Sequence, residues 1–226
     1  MHPSTIPNLV LRVIKWPVAL LALALLPSTV LALGDSALAD VTWPRAEWLA
    51  YGAGGYLIAW WLVFRRRVAG SYFSTFEHEL THALFAWATL HRVTGLTVTW
   101  RDGGQCEYVG SGGGNWLIAI APYWFPTLVW PLLIASQWVD ASDQGALDVA
   151  IGAAIAYHLT STIRELHPGQ TDLQQTTITF AWMFLPTANL LAIGLALLVA
   201  TDGAAGAADM LGDLWGRAWA LVSQLV

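Results

Sequence analysis

The sequence predicts a mainly α-helical membrane protein: about six transmembrane helices, a short β-hairpin between spans three and four, and a C-terminal interfacial helix. Three observations lead there. Hydrophobic residues make up 56% of the 226 positions and charged residues only 11%, whereas soluble domains carry about 25% charged residues. Apolar runs recur at lengths that cross a bilayer. Fourteen tryptophans are present, and Trp16, Trp43, Trp48, Trp100, Trp116 and Trp138 sit near the ends of those runs, as in an interfacial aromatic belt.

By apolar length the spans fall at about 14–33, 47–64, 69–90, 114–138, 146–163 and 174–200. The first follows Arg12 and Lys15 and precedes Ala37-Leu38-Ala39, which resembles a signal-peptidase site. Its length of roughly 18–20 residues and the second span close behind it favour a retained helix, kinked at Pro17 and Pro27. Beyond the third span the periodicity changes. Val93 to Trp100 is β-rich, Asp102-Gly103-Gly104 is a turn signal, and Gln105 to Val109 can return as a second strand before the flexible Ser111–Gly114. In the last segment, about 204–226, Leu211, Leu214, Trp215, Ala218, Trp219, Val222 and Leu225 share one helical face, so it is expected to lie in the interface. Arg12, Lys15 and Arg65-Arg66-Arg67 put both ends of the first helical pair in the cytoplasm. A full crossing by span three would put the acidic Asp140–Asp143 loop in the cytoplasm and the Arg164 loop outside, against the charge rule. A re-entrant span three would satisfy it, and the sequence alone does not choose between them.

Net charge is −5 and Arg65–Arg67 is the one basic cluster, so nucleic acid is not expected as a partner. Cys106 is the single cysteine, which excludes an intramolecular disulfide and a cysteine-based metal site.

Chemistry concentrates in His78-Glu79-Leu80-Thr81-His82, inside the third span. In H-E-x-x-H on a helix the two histidines lie one turn apart on one face and can hold one Zn²⁺. Each charged group buried in a bilayer costs roughly 2.5–3.5 kcal/mol even on the gentlest scale, which argues for function. Glu79 points about 100° away from each neighbour on the helix, so it is better placed as general base than as ligand. Glu77 is either a supporting partner or a hydrogen-bonding group within the bundle. A catalytic zinc site uses three protein ligands and one open position. The third ligand has three candidates: Asp172 in the broken-helix stretch Pro168–Leu173, His158 on the fifth span with Ser161, Thr162 and Glu165 continuing its polar face, and Asp148 at the start of that span.

Phe76-Glu77-His78-Glu79-Leu80-Thr81-His82-Ala83-Leu84 resembles the active-site helix of the site-2-protease (M50) family of intramembrane zinc metalloproteases, and more narrowly its compact bacterial M50B-like members. The Asp102–Gly104 hairpin, Asn115 to Tyr123, His158 to Thr162 and Gln170 to Leu173 extend the resemblance over about residues 70–190. It implies that the third ligand is a downstream aspartate, and Asp172 fits by position and by Pro168 before it. The family's Leu-Asp-Gly pattern is not reproduced, since Thr171 precedes Asp172 and Leu173 follows it.

The expectation is therefore a zinc endopeptidase with His78, His82 and Asp172 on the metal and Glu79 as base, cutting a membrane-spanning segment of a protein substrate. It would be a multi-pass protein of a bacterial inner (plasma) membrane, in contact with the lipid bilayer. Any regulatory membrane partner would act in trans. The chain is read as a single polytopic domain, with residues 1–68 as an N-terminal helical hairpin, 69–200 as catalytic core and 201–226 as an amphipathic tail. Two other classes compete: a non-catalytic zinc-binding membrane scaffold, and a proton relay or transporter. The lack of inverted repeats counts against the last.

Overall fold

The computed structural model describes residues 2–39, 43–64, 71–99, 103–110 and 114–223. The chain is mainly helical, with one two-stranded antiparallel hairpin among the described residues. Helix α1 (Thr5–Ala39) absorbs Pro17 and Pro27 without ending. Helix α2 (Trp43–Ala59) continues into a π-helical turn, Trp60–Phe64, and α3 (Ser71–Ala88) carries the H-E-x-x-H motif. Strands β1 (Arg92–Val98) and β2 (Gly104–Val109) form the expected hairpin, with a register shift between Val93 and Gly95. Arg65–Arg67, Trp100, Asp102, Ser111–Gly113 and Leu225 lie outside the described residues.

The expected fourth span, 114–138, is not one helix. It breaks into α4 (Trp116–Ile120), a 3-10 turn at Ala121–Tyr123, and α5 (Val129–Ala135). Pro122 and Pro126 supply the reason, since each lacks the N–H that would continue a helical ladder. Asn115 caps α4, its side-chain oxygen accepting from the N–H groups of Leu117 (3.0 Å) and Ile118 (3.3 Å). Helix α6 (Gln144–Glu165), the short α7 (Thr171–Thr176) and α8 (Ile178–Ser223) follow.

Among the described residues, three helical stretches are long and apolar enough to cross a membrane: Thr5–Ser36, Gln144–Glu165 and Ile178–Ala220. The other three expected spans do not qualify on length and composition. Helix α2 runs only 17 residues, α3 carries Glu77, His78, Glu79 and His82, and the 114–138 stretch is broken.

The C-terminal segment is set off from the preceding helix by a kink. Gly203 adopts φ 71°, ψ −164° inside α8, a conformation that glycine alone takes easily, and kinks the helix there. Beyond it Ala207, Met210 and Leu214 bury against Ala32 and Leu198. Leu211, Trp215 and Trp219 stay exposed. The buried seam thus shares Leu214 with the apolar face read from the sequence, whose Leu211, Trp215 and Trp219 point outward.

Two packings position the remainder. Helices α2 and α6 meet through glycines: a Cβ on Gly52 would run into the backbone of Val149, and one on Gly152 into the backbone of Leu49. Buried Asp148 accepts from Arg45 at the same seam, Oδ1 from Nη2 at 2.9 Å and Oδ2 from Nε at 3.1 Å. A second cluster joins Trp116, Tyr123, Leu173 and Phe180 to Ala19 of α1. There the Trp116 indole N–H donates to the Leu11 carbonyl at 2.7 Å.

Replacing Gly152 by Leu forces α2 and α6 apart. Overpacking of this kind costs about 1–3 kcal/mol. The Gly152→Leu protein should therefore melt several degrees below wild type in detergent, and an unchanged Tm would contradict the glycine-mediated contact.

Candidate metal centre

Helix α3 presents His78 and His82 on one face, with ring centroids 4.8 Å apart. The opening turn of α7 brings Asp172 to them. Its Oδ2 lies 3.3 Å from His78 Nε2 and 3.4 Å from His82 Nε2. One ligand atom from each of the three residues falls within 4.8 Å of the others.

The remaining ring nitrogens are already engaged. His78 Nδ1 lies 2.8 Å from Glu165 Oε2, and His82 Nδ1 lies 2.8 Å from the Ile118 carbonyl oxygen. Both partners are acceptors, so each Nδ1 carries a proton, and in the neutral form of each ring that leaves the Nε2 lone pair directed towards Asp172. Three lone pairs converging in this way repel one another unless a cation, or added protons, lie between them. A tetrahedral site with arms of ~2.0–2.1 Å has edges of roughly 3.3–3.4 Å. The two nitrogen-to-oxygen separations match those edges, so the donor set fits a zinc-like ion.

Each Nδ1 partner has a local cause. Glu165 ends α6, and its Oε1 accepts from Ser74 (2.8 Å) and Ser161 (3.1 Å), which leaves Oε2 to the imidazole. Ile118 stands four residues before Pro122, whose missing N–H is the one a regular helix would direct to that carbonyl. The carbonyl takes the Ala121 N–H in a tighter turn and keeps its second lone pair for His82. The break that spoils the fourth span thus frees an acceptor. Tyr123, in the adjoining 3-10 turn, donates its hydroxyl to Asp172 Oδ2 at 3.4 Å.

Glu79 packs against β2 while staying within electrostatic reach of both imidazoles. The Cys106 backbone N–H is directed to its carboxylate. A Cβ on Gly104 would stand 2.6 Å from Glu79 Cγ and 2.6 Å from Thr75 Cγ2, so only glycine lets the hairpin settle on α3 here. Glu79, His78, His82 and Asp172 all line one cavity of about 660 Å³, bounded also by Gln105, Tyr108 and Gln175.

The other sequence candidates lie elsewhere. Asp148 is bound to Arg45 at the α2–α6 seam. His158 is buried on α6 about two turns, roughly 10 Å, before Glu165, and neighbours Asn189 of α8. The polar face that unites His158 with Glu165 in the sequence is thus divided by depth, and only its Ser161–Glu165 end meets α3. Glu77 is turned to Thr81 and Thr127. Sequence reasoning missed Glu165 as the partner of His78, the Ile118 carbonyl and Tyr123. Only the first left a signal, as an acid ending a polar helical face.

A fold of apolar helices built around a His-His-Asp cluster and a flanking glutamate is what a membrane metallopeptidase requires. The chain belongs to the Peptidase M50B-like family, whose model matches residues 53–220, from within α2 to near the end of α8. No curated protein and no solved structure gives a significant match.

Metal analysis of the purified protein should find about one zinc per chain, as expected of one three-ligand site. His78→Ala, His82→Ala and Asp172→Ala should each lose it, while His158→Ala and Asp148→Ala keep it. Glu165→Gln should weaken zinc affinity roughly 10–100-fold, as loss of a hydrogen-bonded support does elsewhere. Zinc retained by Asp172→Ala but lost by His158→Ala would contradict the assignment.

Proposed function

We propose that this protein is an intramembrane zinc endopeptidase that cuts a membrane-spanning segment of a protein substrate. The observation that carries the reading is the shared cavity, in which the His78–His82–Asp172 triangle and the Glu79 carboxylate face the same space. Zn²⁺ held by the three would supply Lewis-acid polarisation of a carbonyl and of water at neutral pH.

The chain's own groups account for the rest. Glu79, backed by the Cys106 N–H, takes a proton from the attacking water and returns it to the departing amine. Glu165 and the Ile118 carbonyl keep both imidazoles in the tautomer that leaves Nε2 free. Tyr123 holds Asp172 in register. A helical substrate hides its peptide bonds, so the segment to be cut must unwind. Among the described residues the sheet has two strands, so β2 has an edge paired with no further strand, and its Gln105, Cys106 and Tyr108 line the cavity. An extended substrate segment added to that edge would be held for attack by main-chain hydrogen bonds.

The core at 69–200 contains every group used in these steps. A multi-pass placement in a bacterial inner membrane goes with this reading. The scaffold alternative needs a closed site with both His158 and Asp172 on the metal, and the separation of His158 from the cluster counts against it.

Glu79→Gln tests the mechanism. Zinc content should stay at the wild-type level while cleavage of a co-reconstituted membrane-spanning substrate falls by at least about 100-fold, the scale of a lost general base. Proteolysis at the wild-type rate in that variant would remove the proposed role.

A further inference from the structure

A second cavity, of about 430 Å³, lies behind the metal centre, between the end of α2, the start of α3 and the end of α6. The π-helical turn Trp60–Phe64 forms one wall. Such turns are rare and recur at functional sites. Its lining is aromatic: Tyr56 stacks on Phe64 at 6.4 Å, and Tyr157 meets Tyr56 edge-on at 6.0 Å and Phe73 at 5.6 Å. Two polar features interrupt that apolar surface. The Tyr157 hydroxyl is buried; Ser74 stands near it, but no acceptor meets it with the geometry of a hydrogen bond. Arg164, exposed at the end of α6, lines the cavity and makes no salt bridge among the described residues.

Apolar walls and a cation at the rim fit an amphiphile with an anionic head. The setting narrows the class. The cavity opens at the end of α6, a helix long and apolar enough to cross a membrane, and basic pockets at the cytoplasmic ends of such helices take anionic lipid head groups. The run Arg65–Arg67, next in sequence after Phe64, assigns this end of α2 to the cytoplasmic side by the charge rule.

We propose that this cavity binds one anionic phospholipid, with the phosphate on Arg164 and the upper acyl chain against Phe64, Phe73 and the Tyr157 ring. The site also touches the support of the metal centre. Ser74 and Ser161 line the cavity and donate to Glu165 Oε1, while Glu165 Oε2 accepts from His78 Nδ1. A lipid seated there restrains both serines and steadies the imidazole. This coupling rests on the proposed zinc site, whereas lipid binding itself does not.

Native mass spectrometry of the full chain in neutral detergent tests the binding, with phosphatidylglycerol and phosphatidylcholine titrated separately. Metal-stripped Glu79→Gln protein serves as a second sample, so that failure of the protease reading leaves this test intact. Phosphatidylglycerol should be retained about fivefold more tightly, and Arg164→Ala should remove most of that preference, the contribution of one basic residue at an anionic surface. Arg164→Lys should keep most of it. Ala153→Phe, which fills the cavity, should lower retention of both lipids, and if that variant fails to fold the exposed Arg164 pair decides the matter. Glycerol 3-phosphate should not compete. Equal retention of the two lipids, a preference untouched by Arg164→Ala, or full competition by glycerol 3-phosphate would each overturn the proposal.

Discussion

Two imidazole lone pairs and a carboxylate oxygen, brought to 3.3 and 3.4 Å, form an arrangement that is unstable by itself. Its stability depends on positive charge at the common point, and the surrounding structure is arranged to keep that point available. Glu165 and the Ile118 carbonyl occupy both Nδ1 atoms and so exclude the tautomers that would relieve the repulsion internally. Tyr123 donates to the same Asp172 oxygen that the two Nε2 atoms approach. Removing any of these loosens a donor without removing it, which is why they act as positioning groups.

The irregular parts of the fold serve the same constraint. A regular helix over 114–138 would engage the Ile118 carbonyl along its own axis; Pro122 withholds that donor and leaves a lone pair for His82. A residue larger than glycine at position 104 would lift the hairpin from α3 and withdraw the Cys106 N–H from Glu79. The interruption after Leu166, which separates α6 from α7, turns Asp172 back toward α3. Regular helices carry His78, Glu79, His82 and Glu165, and the breaks bring Asp172, Tyr123 and the Ile118 carbonyl to them.

Much of this is legible in the sequence. Apolar content announces a helical membrane protein, and the i, i+4 histidines announce one face of a metal site. Val93–Trp100 and Gln105–Val109 announce the hairpin, found at Arg92–Val98 and Gly104–Val109. Hydropathy alone does not separate a spanning helix from a broken one of the same composition, so it runs 114–138 together despite the prolines. Nor does it choose the buried side of the C-terminal segment, where Ala207, Met210 and Leu214 meet Ala32 and Leu198. His158 and Asp172 are both chemically acceptable to zinc, and only the depth of each along its helix distinguishes them. A backbone carbonyl such as that of Ile118 carries no sequence mark at all.

The coordination of the ion is the most direct test of the account. X-ray absorption at the zinc edge of the purified protein should show two imidazole nitrogens and carboxylate oxygen at ~2.0–2.2 Å, with one further light-atom position. A zinc-free protein, or a spectrum with three imidazoles, would contradict the His78–His82–Asp172 centre.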